Sequence, residues 1–305
     1  MAAAQGTAAP THRGAVRSFL HLLSCIRLDE VLVLQGTPLF GALFAMGALT
    51  GAKCLKLVVL AAASSCLVAH VFLLNDCCGA GGDLRDPNRA ERVFIARGIG
   101  RNQILWLCGL LLVLALLLLV PFGPAPLAIA LALVILSALY SVPKFSMKGM
   151  PLLSSVLHLL GGLLHFLLGY SLFRAPDWRG IEIGGFFAVT FVAGHLTQEA
   201  RDYKSDLHNG IRTNAVKFGP ARCFAAAFLL FTVADLLLFV LAQRGIVPRI
   251  LVVAAGFYPL HLWWTLQTVF AGLTFENIRR LQVRYRVLYA IIGLIMIAPL
   301  LHFKL

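Results

Sequence analysis

Apolar runs at about 31–50, 57–74, 104–122, 125–141, 151–173, 181–198, 221–242, 247–270 and 287–303 leave most of the charge to the short segments between them. A helix needs about 20 apolar residues to cross a bilayer. In hydrocarbon the backbone must satisfy its own hydrogen bonds, and a helix does so within one segment. Hydrophobic residues make up 60% of the 305 and charged residues 13%, where soluble domains carry about 45–50% and about 25%. These proportions exclude a disordered chain, a secreted disulfide scaffold and a soluble enzyme. The expected fold is all-α, a polytopic membrane protein with nine transmembrane helices around a central cavity. Residues 1–305 are expected to form a single transmembrane domain, with 1–24 a flexible cytosolic segment.

Twenty-six Lys and Arg against 13 Asp and Glu give a net charge of +13. In a soluble protein that balance would suggest nucleic acid; here the basic residues punctuate apolar helices, and no nucleic-acid partner is expected. With nine spans and the N-terminus in the cytosol, the inner segments carry 19 Lys and Arg. The outer segments carry 7, namely Lys53, Lys56, Arg174, Arg179, Arg244, Arg249 and Lys304. Positive charge concentrates on the cytosolic side of membrane proteins, so the expected topology is N-in and C-out. The stretch Met1–Thr11 lacks the apolar core of a signal peptide. The seven Cys lie mostly in or beside apolar spans, where Cys packs as a small hydrophobe; the adjacent Cys77–Cys78 is no metal-ligand spacing.

Seven of the 13 acids fall in two inner segments: Asp76, Asp83, Asp86 and Glu91 after the second span, and Glu199, Asp202 and Asp206 after the sixth. A solvated loop face is the plain reading of a charge cluster. Three features argue for more. Glu199, Asp202 and Asp206 are spaced i, i+3, i+7, on one face of a continuing helix and within about 11 Å along it. Asn75, Gly79 and Asp83 follow i, i+4, i+8. Both clusters emerge directly from apolar helices, at the membrane rim where lone carboxylates are costly and usually functional. Basic residues accompany them: Arg85, Arg89 and Arg92 in one segment, Arg201, Lys204 and Arg212 in the other. Converging carboxylates repel and do not bind phosphate, but Mg²⁺ takes one or two carboxylates together with phosphate oxygens, while bases hold the rest of a diphosphate. The pattern points to an Mg²⁺–diphosphate site.

The segment 75–98, NDCCGAGGDLRDPNRAERVFIARG, resembles the first Asp-rich motif of the UbiA superfamily of intramembrane prenyltransferases. The segment 199–219, EARDYKSDLHNGIRTNAVKFG, resembles the second, and Tyr140–Lys148 is similar to the family's YS-x-P…K loop. Arg27, entering the first span, is similar to an Arg commonly found there. The resemblance covers nearly the whole chain. It implies a prenyl diphosphate donor, an aromatic or other lipophilic acceptor, and Mg²⁺ on Asn75, Asp76, Asp83, Glu199, Asp202 and Asp206. It further implies diphosphate contacts from Arg27, Arg89, Lys144, Lys148 and Arg212, with Asp202, Asp206, Lys148 and Tyr140 as the catalytic set. One position departs from the pattern: Gly79 stands where the family expects Asp. Either Asp83 or Asp86 substitutes, above all if the stretch GAGG (79–82) breaks the helix and lets the loop fold back, or the chain binds fewer ions or runs altered chemistry. His195, one turn before Glu199, stands where many members carry an acid near the acceptor, which argues against a 4-hydroxybenzoate-type acceptor.

The function these parts imply is Mg²⁺-dependent transfer of an isoprenoid chain from a prenyl diphosphate to that acceptor. The alternative is a terpene cyclase on the same scaffold, in which the substrate's own double bonds capture the cation. A transporter would explain the hydropathy and leave the paired acidic motifs idle. Other residues read more plainly: His158 and His165 as helix–helix hydrogen bonders or cavity residues, Trp263 and Trp264 as membrane aromatics, and Gly161–Gly162 and Gly184–Gly185 as sites of close helix approach. Asp235, inside the seventh span, must be paired, protonated or cavity-lining.

Overall fold

The computed structural model describes residues 20–86 and 90–300. Among the described residues, nine helices are long and apolar enough to cross a membrane. They are α1 (Leu28–Met46), α2 (Gly51–Asp83), α3 (Arg101–Phe122), α4 (Pro124–Ser141), α5 (Leu153–Tyr170), α6 (Trp178–His208), α7 (Pro220–Gln243), α8 (Arg249–Phe270) and α9 (Phe275–Pro299). Each coincides with one of the apolar runs, so the nine-span, all-helical expectation holds and the chain is a multi-pass membrane protein. Of the expected flexible segment 1–24, residues 1–19 lie outside the described residues. Residues 20–23 form a helical turn, and the Ser24 carbonyl accepts a 3.1 Å hydrogen bond from Arg97, so this end of the segment is tied down.

Local sequence explains the breaks. Two helical pieces, Leu28–Leu34 and Gly36–Met46, meet at Gln35 to make α1. The first half of α8 is a 3-10 helix, Arg249–Phe257, and the α-helical half starts at Tyr258 with Pro259 in its first turn, where a missing N–H costs nothing. At 33 and 31 residues, α2 and α6 are the longest helices. At 1.5 Å per residue each runs about 45–50 Å, well beyond a hydrocarbon core of about 30 Å. Both therefore project from the membrane, and their projecting ends carry the two acidic motifs. The GAGG stretch does not break α2, which continues through it to Asp83: one more glycine pair costs only about 1 kcal/mol each against Ala, and buried Cys77 and Ala80 keep this end packed.

The centre of the bundle is the contact of α1, α5, α6 and α7. A β-carbon on Gly41 would collide with the Phe166 carbonyl, and one on Gly169 with the Pro38 carbonyl, so α1 and α5 touch backbone to backbone. Gly162 and Gly184 let α5 and α6 close in the same way, against Phe191 and Leu163 respectively. Gly161 and Gly185 have only ordinary contacts. Buried polar groups join helices in pairs. His165 meets Ser64 Oγ of α2 at 2.9 Å, and His70 of α2 meets the Cys108 carbonyl of α3 at 3.0 Å. Asp235 accepts a 3.1 Å hydrogen bond from the Tyr289 hydroxyl of α9, which accounts for a carboxylate inside α7. Among the described residues the seven Cys are free thiols.

Candidate active site

The ends of α2 and α6 meet. A β-carbon on Gly82 would lie 3.4 Å from the side chain of Asn209, the residue that ends α6. The two motif ends are thus in ordinary contact through Gly82 and Asn209. Within α2, the Asp83 carboxylate turns back along the helix, with Oδ2 3.5 Å from the place a β-carbon of Gly79 would occupy. The carboxylate thus lies beside Gly79, the position where the family pattern carries an acid. Asp76 is held by Arg27 in a two-point ion pair, with Nε donating to Oδ2 at 3.0 Å. The guanidinium also lies 5.9 Å from the Phe72 ring centre. Asn75 is half-buried on the same turn as Asp76, and Asp86 is buried just past the end of α2. Arg89 lies outside the described residues.

On α6 the three acids separate by role. Glu199 is 5% exposed, and both its oxygens are occupied by protein. Oε2 accepts from the Asn214 backbone N–H at 2.8 Å and from Asn214 Nδ2 at 2.9 Å. Oε1 lies 3.4 Å from the Ser154 hydroxyl and 3.0 Å from His195 Nε2. These contacts make Glu199 an anchor between α6, Ser154 and Asn214. Asp202 is gripped by the guanidinium of Arg201 at 2.8 and 3.0 Å, and Arg201 also donates to Gln282 of α9 at 2.7 Å. Asp206, a turn further on, is 5% exposed.

Asn214 carries the anchor across to the third loop. Its Oδ1 accepts the Leu152 N–H at 2.7 Å, and its Nδ2 reaches Ser154 and Ser155 at 3.2 and 3.1 Å. Leu152 has φ +66 and Ser146 φ +42, a region unfavourable for residues with a side chain. Such strain persists only where surrounding contacts hold it. The strained loop 142–152 presents Lys144 and Lys148, and Gly149 within it lies beside the Arg212 backbone. Arg212 and Lys144 are exposed and Lys148 half-buried. One buried residue therefore ties together the α4–α5 loop, the second acidic motif and the loop bearing Arg212. Nothing in the sequence singled out Asn214, because its role depends on partners about 60 residues away.

Beneath the acidic rim lies a layer of rings. His158 and His195 stack face to face, with centres 3.5 Å apart and planes within 9°. Tyr140 meets His158 edge-on at 4.9 Å, and Phe191 lies 5.6 Å from it. His195 precedes Asp202 by seven residues, which sets this layer about 10 Å below Asp202 along α6. Tyr140 also lies edge-on to His195 of α6 at 6.4 Å, whereas His165 belongs to the α2 contact.

The UbiA prenyltransferase family matches residues 36–272. The chain belongs to this family. Solved structures share the UbiA fold over nearly their whole length. A UbiA homolog from Archaeoglobus fulgidus bound to GPP and Mg²⁺ aligns with 91% of this chain and 98% of its own at a TM-score of 0.69 and 18% identity. An apo UbiA homolog from Aeropyrum pernix K1 aligns with 90% of this chain and 100% of its own at 0.71 and 16% identity. A digeranylgeranylglyceryl phosphate synthase aligns with 93% and 99% at 0.69 and 15% identity. A comparison with curated protein sequences finds no match.

The donor set suits Mg²⁺ in kind: Asp83, Asp202 and Asp206 with the amide oxygen of Asn75 are all hard oxygen ligands. Among the described residues no three His, Cys, Asp or Glu side chains converge to form a complete metal cage.

Proposed function

We propose that this chain transfers an isoprenoid group from a prenyl diphosphate to a lipophilic acceptor, with the diphosphate at the rim formed by α2, α6 and the two basic loops. The observation that carries this reading is the meeting of the two motif ends, Gly82 against Asn209, above a ring-lined layer in a UbiA family member. The GPP and Mg²⁺ bound by the Archaeoglobus homolog support the same donor class.

In this reading Asp83, Asp202 and Asp206, with Asn75, hold Mg²⁺, which supplies Lewis-acid neutralisation of the leaving diphosphate. Lys148, Lys144 and Arg212 add charge-assisted hydrogen bonds to phosphate oxygens. Arg89 is expected to do the same. Arg27 fixes Asp76, and Arg201 fixes Asp202, so that two acids of the rim are balanced before donor arrives. Glu199 and Asn214 set the two loops at the correct height. The isoprenoid tail lies among apolar helix faces, gaining about 0.8 kcal/mol per buried CH₂, and the rings of Tyr140 and Phe191 face the developing cation. The rim is on the cytosolic side, with the N-terminus, and the C-terminus is on the other.

The cyclase reading draws on the same ring layer and on Gly79 in place of the family acid. Purified protein supplied with geranyl, farnesyl or geranylgeranyl diphosphate and Mg²⁺ distinguishes the two. Acceptor-dependent prenylated product is the expected result. Cyclic hydrocarbon or alcohol formed without acceptor would select the cyclase.

A further inference from the structure

We propose that His158 is the base that receives the proton the acceptor loses as it is prenylated. The inference rests on the prenyl-transfer reading above and adds a role for a residue outside both acidic motifs.

His158 Nδ1 lies 2.8 Å from the Ser154 carbonyl. A carbonyl only accepts, so Nδ1 carries the proton and Nε2 holds the lone pair of the neutral ring. That tautomer is set firmly. Ser154 is fully buried, and its hydroxyl is bound to Asn214 Nδ2 and to Glu199 Oε1 at 3.2 and 3.4 Å. The ring itself is fixed on one face by His195, stacked at 3.5 Å, and by the edge contact with Tyr140 at 4.9 Å. His195 and Ser154 are buried, while His158 is only half-buried. It is the less buried residue of the pair. The pair sits about 10 Å below Asp202 along α6, toward the apolar middle of that helix.

The step balances. The C1–O bond of the donor breaks and its electron pair leaves with the diphosphate. The acceptor's attacking atom forms the new bond to C1, and the proton it sheds passes to His158 Nε2. His195, placed against Glu199, orients the ring and takes no part in the transfer.

The test uses full-length protein in nanodiscs with Mg²⁺, geranyl diphosphate as donor, and a phenol, a naphthoquinol, a glyceryl lipid alcohol and water as separate acceptors. His158→Asn keeps an amide N–H for the Ser154 carbonyl and removes the base. We expect its turnover to fall about 100-fold or more, the usual worth of a positioned base, with the donor KM within about twofold of wild type. His158→Ala should fall equally and recover in part when free imidazole is added, which a purely structural role would not allow. Wild-type turnover in His158→Asn overturns the proposal. So does a loss that follows donor affinity and thermal stability with no imidazole rescue. Failure of the wild-type protein to release diphosphate with any acceptor overturns the prenyl-transfer reading itself, and the proposal with it.

Discussion

The carboxylate of Asp83 lies over Gly79, its Oδ2 3.5 Å from where a β-carbon at 79 would stand. That is ordinary contact distance, so Gly79→Ala fits without movement. It should stabilise α2 by about 0.5–1 kcal/mol, seen as a raised unfolding temperature in detergent. Gly79→Asp sets a second carboxylate against the first, and like charges at that range repel. Activity should fall about tenfold, the effect of about 1.4 kcal/mol on the barrier. A faster enzyme with a tighter Mg²⁺ requirement would show instead that the site lacked a ligand.

Asn214→Ala removes the acceptor of the Leu152 N–H and one donor to Glu199. A buried polar group left unpaired costs about 1–3 kcal/mol. The protein should lose stability on that order, and the donor KM should rise because Lys148 and Arg212 ride on the loops it joins. Glu199→Gln keeps an oxygen for the Asn214 donors but sets an amide NH₂ toward Ser154 and His195 and removes the charge, so it should lose part of that stability, with the Mg²⁺ titration unmoved. A shifted Mg²⁺ titration at unchanged stability would place Glu199 among the metal ligands.

At the far end of α6, Asp177 caps the helix. Its Oδ1 accepts from the Gly180 N–H at 2.8 Å and the Tyr170 hydroxyl at 2.9 Å. The Gly180 N–H, then the Tyr170 hydroxyl and the charge of Arg174, hold this carboxyl below its ordinary value. A depressed carboxyl stabilises the fold above its unfolded pKa of about 3.9 and loses that contribution as pH falls through the folded value. Asp177→Asn should therefore lower the unfolding temperature at pH 7 and narrow its gap from wild type below about pH 4. A constant gap across that range would show that the charge plays no part.

Topology is testable without activity. Arg85 follows α2 and Arg244 follows α7, at opposite ends of the bundle in a nine-span chain. Single cysteines placed at these positions in a background lacking the native thiols should be labelled from opposite sides of sealed vesicles, position 85 from the cytosolic side. Labelling of both from one side would refute the arrangement.

The spans were legible because hydropathy alone decides what enters a bilayer, and the second acidic motif because its i, i+3, i+7 spacing survives as one helix. The GAGG stretch misled: glycine propensity predicts a break, but packing at Cys77 and Ala80 overrides it. The partners of Glu199 were not legible either. Spacing places a carboxylate on a face, and only tertiary contacts reveal that Asn214 and Ser154 occupy its oxygens. Stacking of His158 on His195 joins α5 to α6 across 37 positions, and no periodicity within either helix announces it. Asp235 could be recognised as needing a partner, yet Tyr289 as that partner lies 54 residues away.

The central claim is that Asp202 and Asp206 hold the ion that neutralises the leaving diphosphate. Mg²⁺-dependent diphosphate release from geranyl diphosphate, measured for wild type, Asp202→Ala and Asp206→Ala in proteoliposomes, tests it most directly. Each variant should fold, extract and run as wild type while losing turnover by about 1,000-fold or more, of the order of about 4 kcal/mol of transition-state stabilisation. Wild-type rates of release in both variants would contradict the account.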